Sequence, residues 1–324
     1  MVSQEYNRLF HYTTWDGLLG ILKTQSLWAT HFKFLNDYSE LYLCKEKLVE
    51  YVTPVVKEQF VALISKQKDI ESKIIEKGGL DQVAKHDARA FVNAAYSATG
   101  EEIYILSFCG EGKYDYVNTN GLLSQWRGYG QGGGVAIVFN TREFEKILEI
   151  ESGRYLYALG YIGDAIYSDD ETKLKNELSE DFISISEHVK NMLLNISNNN
   201  FEPPDASNAF PSFIKCISRY KHRGFSEENE VRVVCLPTNI DAEYQKLADE
   251  HNTIPQPEKE RKFRIRNGKS VPYIELFDSI DITLPIERII VGPHSDKDLR
   301  AASLRVMLRK TNIEISISEI PFIE

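Results

Sequence analysis

In the stretch SEENEVRVV, residues 226–234, Glu228, Glu230 and Arg232 recur at every second position. On an extended strand that spacing sends all three to one face and Val231, Val233 and Cys235 to the other. Paired carboxylates so arranged can grip a ribose hydroxyl and face the positive charge that develops at its anomeric carbon. The plainer account is a solvated strand edge with a Glu–Arg pair of little energetic weight. His11 and Tyr12, in LFHYTTWDG, stand on what reads as a first short strand, so one of them points into the core and the other into a cleft or solvent. A histidine so placed serves either as a hydrogen-bonded packing group or as a ligand anchor.

The stretch LSQWRGYGQGGGVAIVF, residues 123–139, sets Ser124, Gln125, Trp126 and Arg127 before five glycines. Gly128, Gly130 and Gly133 match the letters of a dinucleotide fingerprint. That fingerprint needs a strand before the glycines and a helix after them, and here the strand follows, so the dinucleotide fold is rejected. What remains is a tight turn into a buried strand, or a loop that lets a ligand approach its backbone, with Trp126 to stack and Arg127 to bind an anion. An indole and a guanidinium beside glycines favour the loop.

The elements that would carry these residues form an α+β order. Asn7 to Tyr12 reads as a strand, and Thr13 with Asp16 has the spacing of a capping box opening a helix with Trp15, Leu18, Leu19 and Leu22 on one face. Leu27 to Thr30 reads as a second strand. Residues 40–98 carry helical periodicity interrupted at Pro54 and at Gly78-Gly79. Strands are expected at 102–108, 134–139, 155–162, 273–277, 289–292 and 313–318, and helices at 171–195, 213–220 and 298–308. Residues 240–270 read as polar loop. One domain over residues 1–324 is expected, with a helical insertion at 40–100 and a second helical segment at 168–220.

With 324 residues, 42% of them hydrophobic and a formal charge of -10, the chain reads as globular and is not one drawn broadly to phosphate backbones. Cys44, Cys109, Cys216 and Cys235 form no C-x-x-C pair, which argues against a zinc clip or a disulfide framework and for a reducing cytoplasm. No apolar run is long enough for a signal peptide or a membrane span. A metal-dependent nuclease built on Glu228 and Glu230 lacks further acidic ligands at suitable spacing.

Taken together, LFHYT…GLLGIL…LWAT…FLND, LSFC…LSQWRGYG…GGVAIVF and KHRGFSEENEVRVV resemble the DUF2971 family over roughly residues 8–240. The opening is similar to the start of the ADP-ribosyltransferase fold, including DarT-like toxins and the His-Tyr-Glu branch. That resemblance implies a split β-sheet core with helical insertions and NAD as substrate, cleaved at the nicotinamide–ribose bond by a transferase or a glycohydrolase. It places the first motif at His11-Tyr12-Thr13 and the third at Glu230. Ser107, or Ser124, Gln125 and Trp126, stands where the second motif belongs. It implies that Glu230 stabilises the oxocarbenium and that His11 anchors a ribose or the carboxamide. Trp126 or Tyr12 would stack on nicotinamide, Arg127 or Arg232 would meet the pyrophosphate, and Glu228 would orient or deprotonate an acceptor. Such a protein would act as a bacterial toxin or anti-phage effector on a nucleic acid or protein, with a neutralising or sensor partner. The opposing reading is a non-catalytic module that senses a nucleotide or binds a protein.

Overall fold

The computed structural model describes residues 1–35, 40–66, 68–98, 102–130, 132–198, 206, 209–240, 245–246, 249–250, 254–278 and 283–321. The chain opens with β1 (Arg8–Thr13), α1 (Trp15–Thr24) and β2 (Leu27–His31), then runs through α2 (Glu40–Lys66), α3 (Lys68–Glu76) and α4 (Leu80–Ala98). There follow β3 (Tyr104–Gly110), α5 (Asp115–Asn120), α6 (Leu123–Tyr129), β4 (Val135–Asn140), α7 (Thr141–Arg154), β5 (Tyr157–Asp164) and β6 (Ile166–Tyr167). After α8 (Glu171–Ser197), α9 (Ala209–Arg219), β7 (Tyr220–Lys221) and β8 (Glu230–Pro237) come β9 (Arg261–Arg266), β10 (Lys269–Leu276), β11 (Ile286–Val291), α10 (Lys297–Met307) and β12 (Glu314–Ile317). The fold is α+β. None of the helices among the described residues is long and apolar enough to cross a membrane.

Where the sequence reads as one domain, chain contacts divide it into two compact units. The first joins Met1–Asn36, Glu102–Ala165 and Phe225–Glu324; the second joins Asp37–Glu101 and Ile166–Gly224. The two helical blocks at 40–100 and 168–220 therefore meet in one unit of their own.

The first unit holds a ten-stranded sheet in the order β12-β11-β4-β1-β3-β2-β10-β9, with β8 on β3 and β5 on β8. All its pairings are antiparallel except β11 with β12. Period-two alternation makes one face the main core, where Leu9, Phe108, Ile137, Phe139, Val231 and Val233 pack with Phe144 of α7 and Leu304 of α10. On the opposite face Phe10, Tyr12, Cys109, Ala136, Val138 and Ile290 pack on Trp126 of α6.

Three local expectations are corrected. The cap of α1 is Thr14, whose hydroxyl accepts from Gly17 N at 3.2 Å, one residue after the expected Thr13. Pro54 does not interrupt α2. Burial of Leu48, Val49, Val52 and Val56 along that helix outweighs the hydrogen bond that proline cannot donate. Residues 240–270 are not loop throughout, because β9 pairs with β10 through a hairpin at Asn267-Gly268, both at positive φ.

In the second unit α2, α4, α8 and α9 enclose an aliphatic and aromatic core in which the Tyr51 and Phe182 rings stack 4.1 Å apart. The short parallel pair of β6 and β7 completes it. Lys221 and Glu40 form a buried ion pair there at 3.5 Å.

Candidate functional site

The first unit's sheet is split at β3. One edge of β3 is taken along Tyr104–Cys109 by β8. On its other edge β1 pairs only at Cys109 and Gly110, and β2 only at Tyr104 and Ile105. Leu106, Ser107 and Phe108 are thus left between two diverging strands. His11 fills this notch: its Nδ1 lies 3.2 Å from the Ser107 carbonyl oxygen and its ring 5.6 Å from that of Phe108. A carbonyl only accepts, so Nδ1 carries the proton, and in the neutral ring Nε2 is an acceptor. Burial lowers the His11 pKa, and the charge of Arg264 lowers it further against the opposing pull of the Ser107 bond, so the ring is neutral at pH 7.

Glu230 and Arg232 share one face of β8, as the alternation predicts, and Val231, Val233 and Cys235 enter the core. The polar face is not solvated. Arg232 Nε and Nη2 donate to the two carboxylate oxygens of Glu230 at 2.9 and 2.8 Å, with side chains only 3% and 7% exposed. Glu228 falls outside this row. It lies in a 3-10 turn, Arg223–Glu228, and Asn229, at φ 46°, breaks the alternation before β8 begins. Asn229 is held there by Tyr6 Oη, which donates to its Oδ1, and by its own Nδ2, which donates to Glu111 O.

The register separates His11 from Glu230. Cys109 faces both Phe10 and Glu230 across its two ladders, so Glu230 leaves the sheet on the Phe10 and Tyr12 face. His11 leaves β1 on the opposite side, with Leu9.

The other expected site residues have structural partners. Tyr12 is buried, its hydroxyl accepts from Leu122 N at 2.8 Å, its ring meets Trp126 edge-on at 4.9 Å, and burial pushes its pKa far up. Thr13 pairs with Val135 at the end of β1. Residues 123–129 form α6 rather than a loop, and this corrects the reading of Trp126 as a stacking platform. Trp126 is 1% exposed and donates Nε1 to Asn120 O at 3.0 Å. Gln125 is buried beside it, Ser124 is half-buried with its hydroxyl lacking a hydrogen-bond partner, and Arg127 is exposed. Ser107 contributes its carbonyl to the notch. The glycine tract approaches its own fold: Trp15 Nε1 and Arg300 Nη1 donate to Gly133 O at 2.7 and 2.6 Å.

Tyr12, Asn118 and Glu228 line a cavity of about 20 Å³, room for about one water. A groove of about 500 Å³, lined by Leu19, Leu22, Leu284, Met307 and Ile313, is apolar and carries none of the expected residues.

Arg264 lies outside the motifs of the sequence, and Trp28 stands in LWAT without an expected role. Across the register Arg264 faces Val271 on β10, Tyr273 faces Thr30 and Glu275 faces Trp28, which puts Arg264, Tyr273, Thr30 and Trp28 on one face. The signal that could have found them is RKFRIR-NG-KSVPYIEL, a turn dipeptide between two alternating runs.

No curated protein and no solved structure matches the chain. A family model, DUF2971, described as proteins of unknown function, matches residues 125–233, a narrower span than the motifs from residue 8 onward that takes in most of α6, the glycine tract, Glu228, Glu230 and Arg232.

Proposed function

We propose that the first unit takes NAD at the split of its sheet and releases nicotinamide, passing ADP-ribose to a macromolecular acceptor or to water. The observation that carries this reading is His11 in the notch. Its protonated Nδ1 is spent on Ser107 O, which leaves Nε2 as the ring's acceptor for a ribose hydroxyl or a carboxamide N–H. Glu230 supplies the negative charge for an oxocarbenium-like transition state, and Arg232 fixes its orientation. Release of nicotinamide from NAD by the purified full chain tests the reading. Release that disappears in a Glu230→Gln protein that keeps a cooperative unfolding transition supports it, and release unchanged in that variant sinks it.

A second reading, binding of a nucleotide without cleavage, is favoured by one observation: Glu230 is closed on Arg232 and leaves the sheet on the face opposite His11. NAD binding by calorimetry with no nicotinamide release selects it. Absence of both binding and release rejects both readings.

A further inference from the structure

The hairpin of β9 and β10 ends one side of the sheet, and with β2 it presents a face of unusual composition. The Arg264 guanidinium carbon lies 5.1 Å from the centroid of the Trp28 ring and 5.8 Å from that of Tyr273. The two rings are 4.5 Å apart and tilted by 34°. Arg264 Nη2 donates to Thr30 Oγ1 at 3.0 Å, while its buried Nε has no hydrogen-bond partner. No carboxylate among the described residues pairs with Arg264. Glu275, the acid on the same face, is taken by Lys262 Nζ at 2.6 Å and by hydrogen bonds from Ser26 and Trp28.

Buried charges are ordinarily paired, and an unmet buried N–H is costly. Here two rings and one hydroxyl order the guanidinium instead, and Arg266 adds a second positive charge close by. A planar, pre-ordered and acid-free guanidinium matches the oxygens of a phosphate, and desolvation by the rings strengthens that pairing. Trp28 is 41% exposed, so part of its indole is open to a second ring, while its bond to Glu275 holds it in place.

We propose that this face binds a phosphate ester of an aromatic nucleoside, with Arg264 receiving the phosphate oxygens and Trp28 stacking on the base. Thr30, which Arg264 holds, faces Ile105 at the end of the β2–β3 pairing, so this face adjoins the notch. The site stands whether or not NAD is cleaved there, because its ligand need not react.

Titration calorimetry of the full chain with ADP, pyrophosphate and adenosine tests the assignment. None of these probes carries nicotinamide, so the result is independent of cleavage. The wild type is expected to bind ADP more tightly than pyrophosphate, and both more tightly than adenosine. Arg264→Gln is expected to weaken ADP and pyrophosphate by about tenfold to a hundredfold, the worth of a charge-assisted hydrogen bond, with the thermal midpoint near that of the wild type. Trp28→Leu should weaken ADP more than pyrophosphate, because the ring that stacks on the base also helps to order Arg264. Arg264→Lys keeps the charge, loses the planar fork and should recover part of the affinity, which a merely structural arginine would not require. ADP binding equal in wild type and Arg264→Gln, or no binding of either phosphate by the wild type, overturns the proposal. Pyrophosphate binding as tight as ADP overturns the stacking role of Trp28. Loss of ADP binding in Arg264→Gln supports the site even where no nicotinamide is released.

Discussion

Arg232 and Glu230, two residues apart on one strand, close a two-pronged ion pair of 2.9 and 2.8 Å inside the protein. A pair in water is worth little, whereas taking one partner from a buried pair leaves the other charge uncompensated. Glu230→Leu or Arg232→Met alone is expected to cost about 3–5 kcal/mol, and the double variant less than either sum of singles would give. Denaturant unfolding of the four proteins measures this. Additive losses would show that the two charges act separately.

A valine at position 133 should damage folding first. Gly133 sits at φ 70°, where a side chain is strained, and an added Cβ would lie 2.6 Å from His294 Cβ. Its carbonyl also anchors Trp15 and Arg300. Gly133→Val should lower the unfolding midpoint, with any ligand affinity falling only as the folded fraction falls. A ligand defect in a protein of unchanged stability would restore the loop to a binding role.

Period-two alternation made the two faces of β8 readable, because Val231 and Val233 had to find a core wherever it was. Alternation could not say what covers the polar face, so a solvated edge and a cleft both stay open for Glu230 and Arg232, which are buried against each other. Trp126 misled for a related reason. Its glycine neighbours suggested an open loop, yet Gly121 and Gly130 lie so close to Trp126 that a Cβ would collide with it, so glycines there let the indole be buried. The interruption at β3 depends on pairing between residues about a hundred positions apart, which no local pattern records. Arg264 stands in a polar run in which the Asn267-Gly268 turn dipeptide marks the hairpin.

His11 should give the fold a pH dependence. Its folded pKa lies below the ordinary value, chiefly through burial, so the unfolded chain binds more protons as pH falls below about 6.5. Stability contributed by the neutral ring is complete above that pH and is lost on acidification toward the folded pKa. The difference in unfolding free energy between wild type and His11→Leu should therefore move toward the variant as pH drops from 7 to 5. A difference constant over that range would place the ring in water.

Lys259 tests burial from the opposite side. Its Nζ lies 2.7 Å from both Glu151 and Asp278 and 3.8 Å from the Tyr155 ring centroid, and the Glu151 carboxylate also accepts from Tyr157 Oη at 2.9 Å and Phe277 N at 3.0 Å. Glu151→Ala strips the cation and both donors of their shared acceptor and should cost about 3–5 kcal/mol. Lys259→Met leaves the two donors in place but removes the charge that offsets the desolvation of Glu151, and should cost about 3–5 kcal/mol as well. The double variant Glu151→Ala with Lys259→Met should lose less than the two single losses together, as denaturant unfolding of the four proteins would measure. Additive losses would mean that packing of the lysine stem, and not its charge, holds this corner of the sheet together.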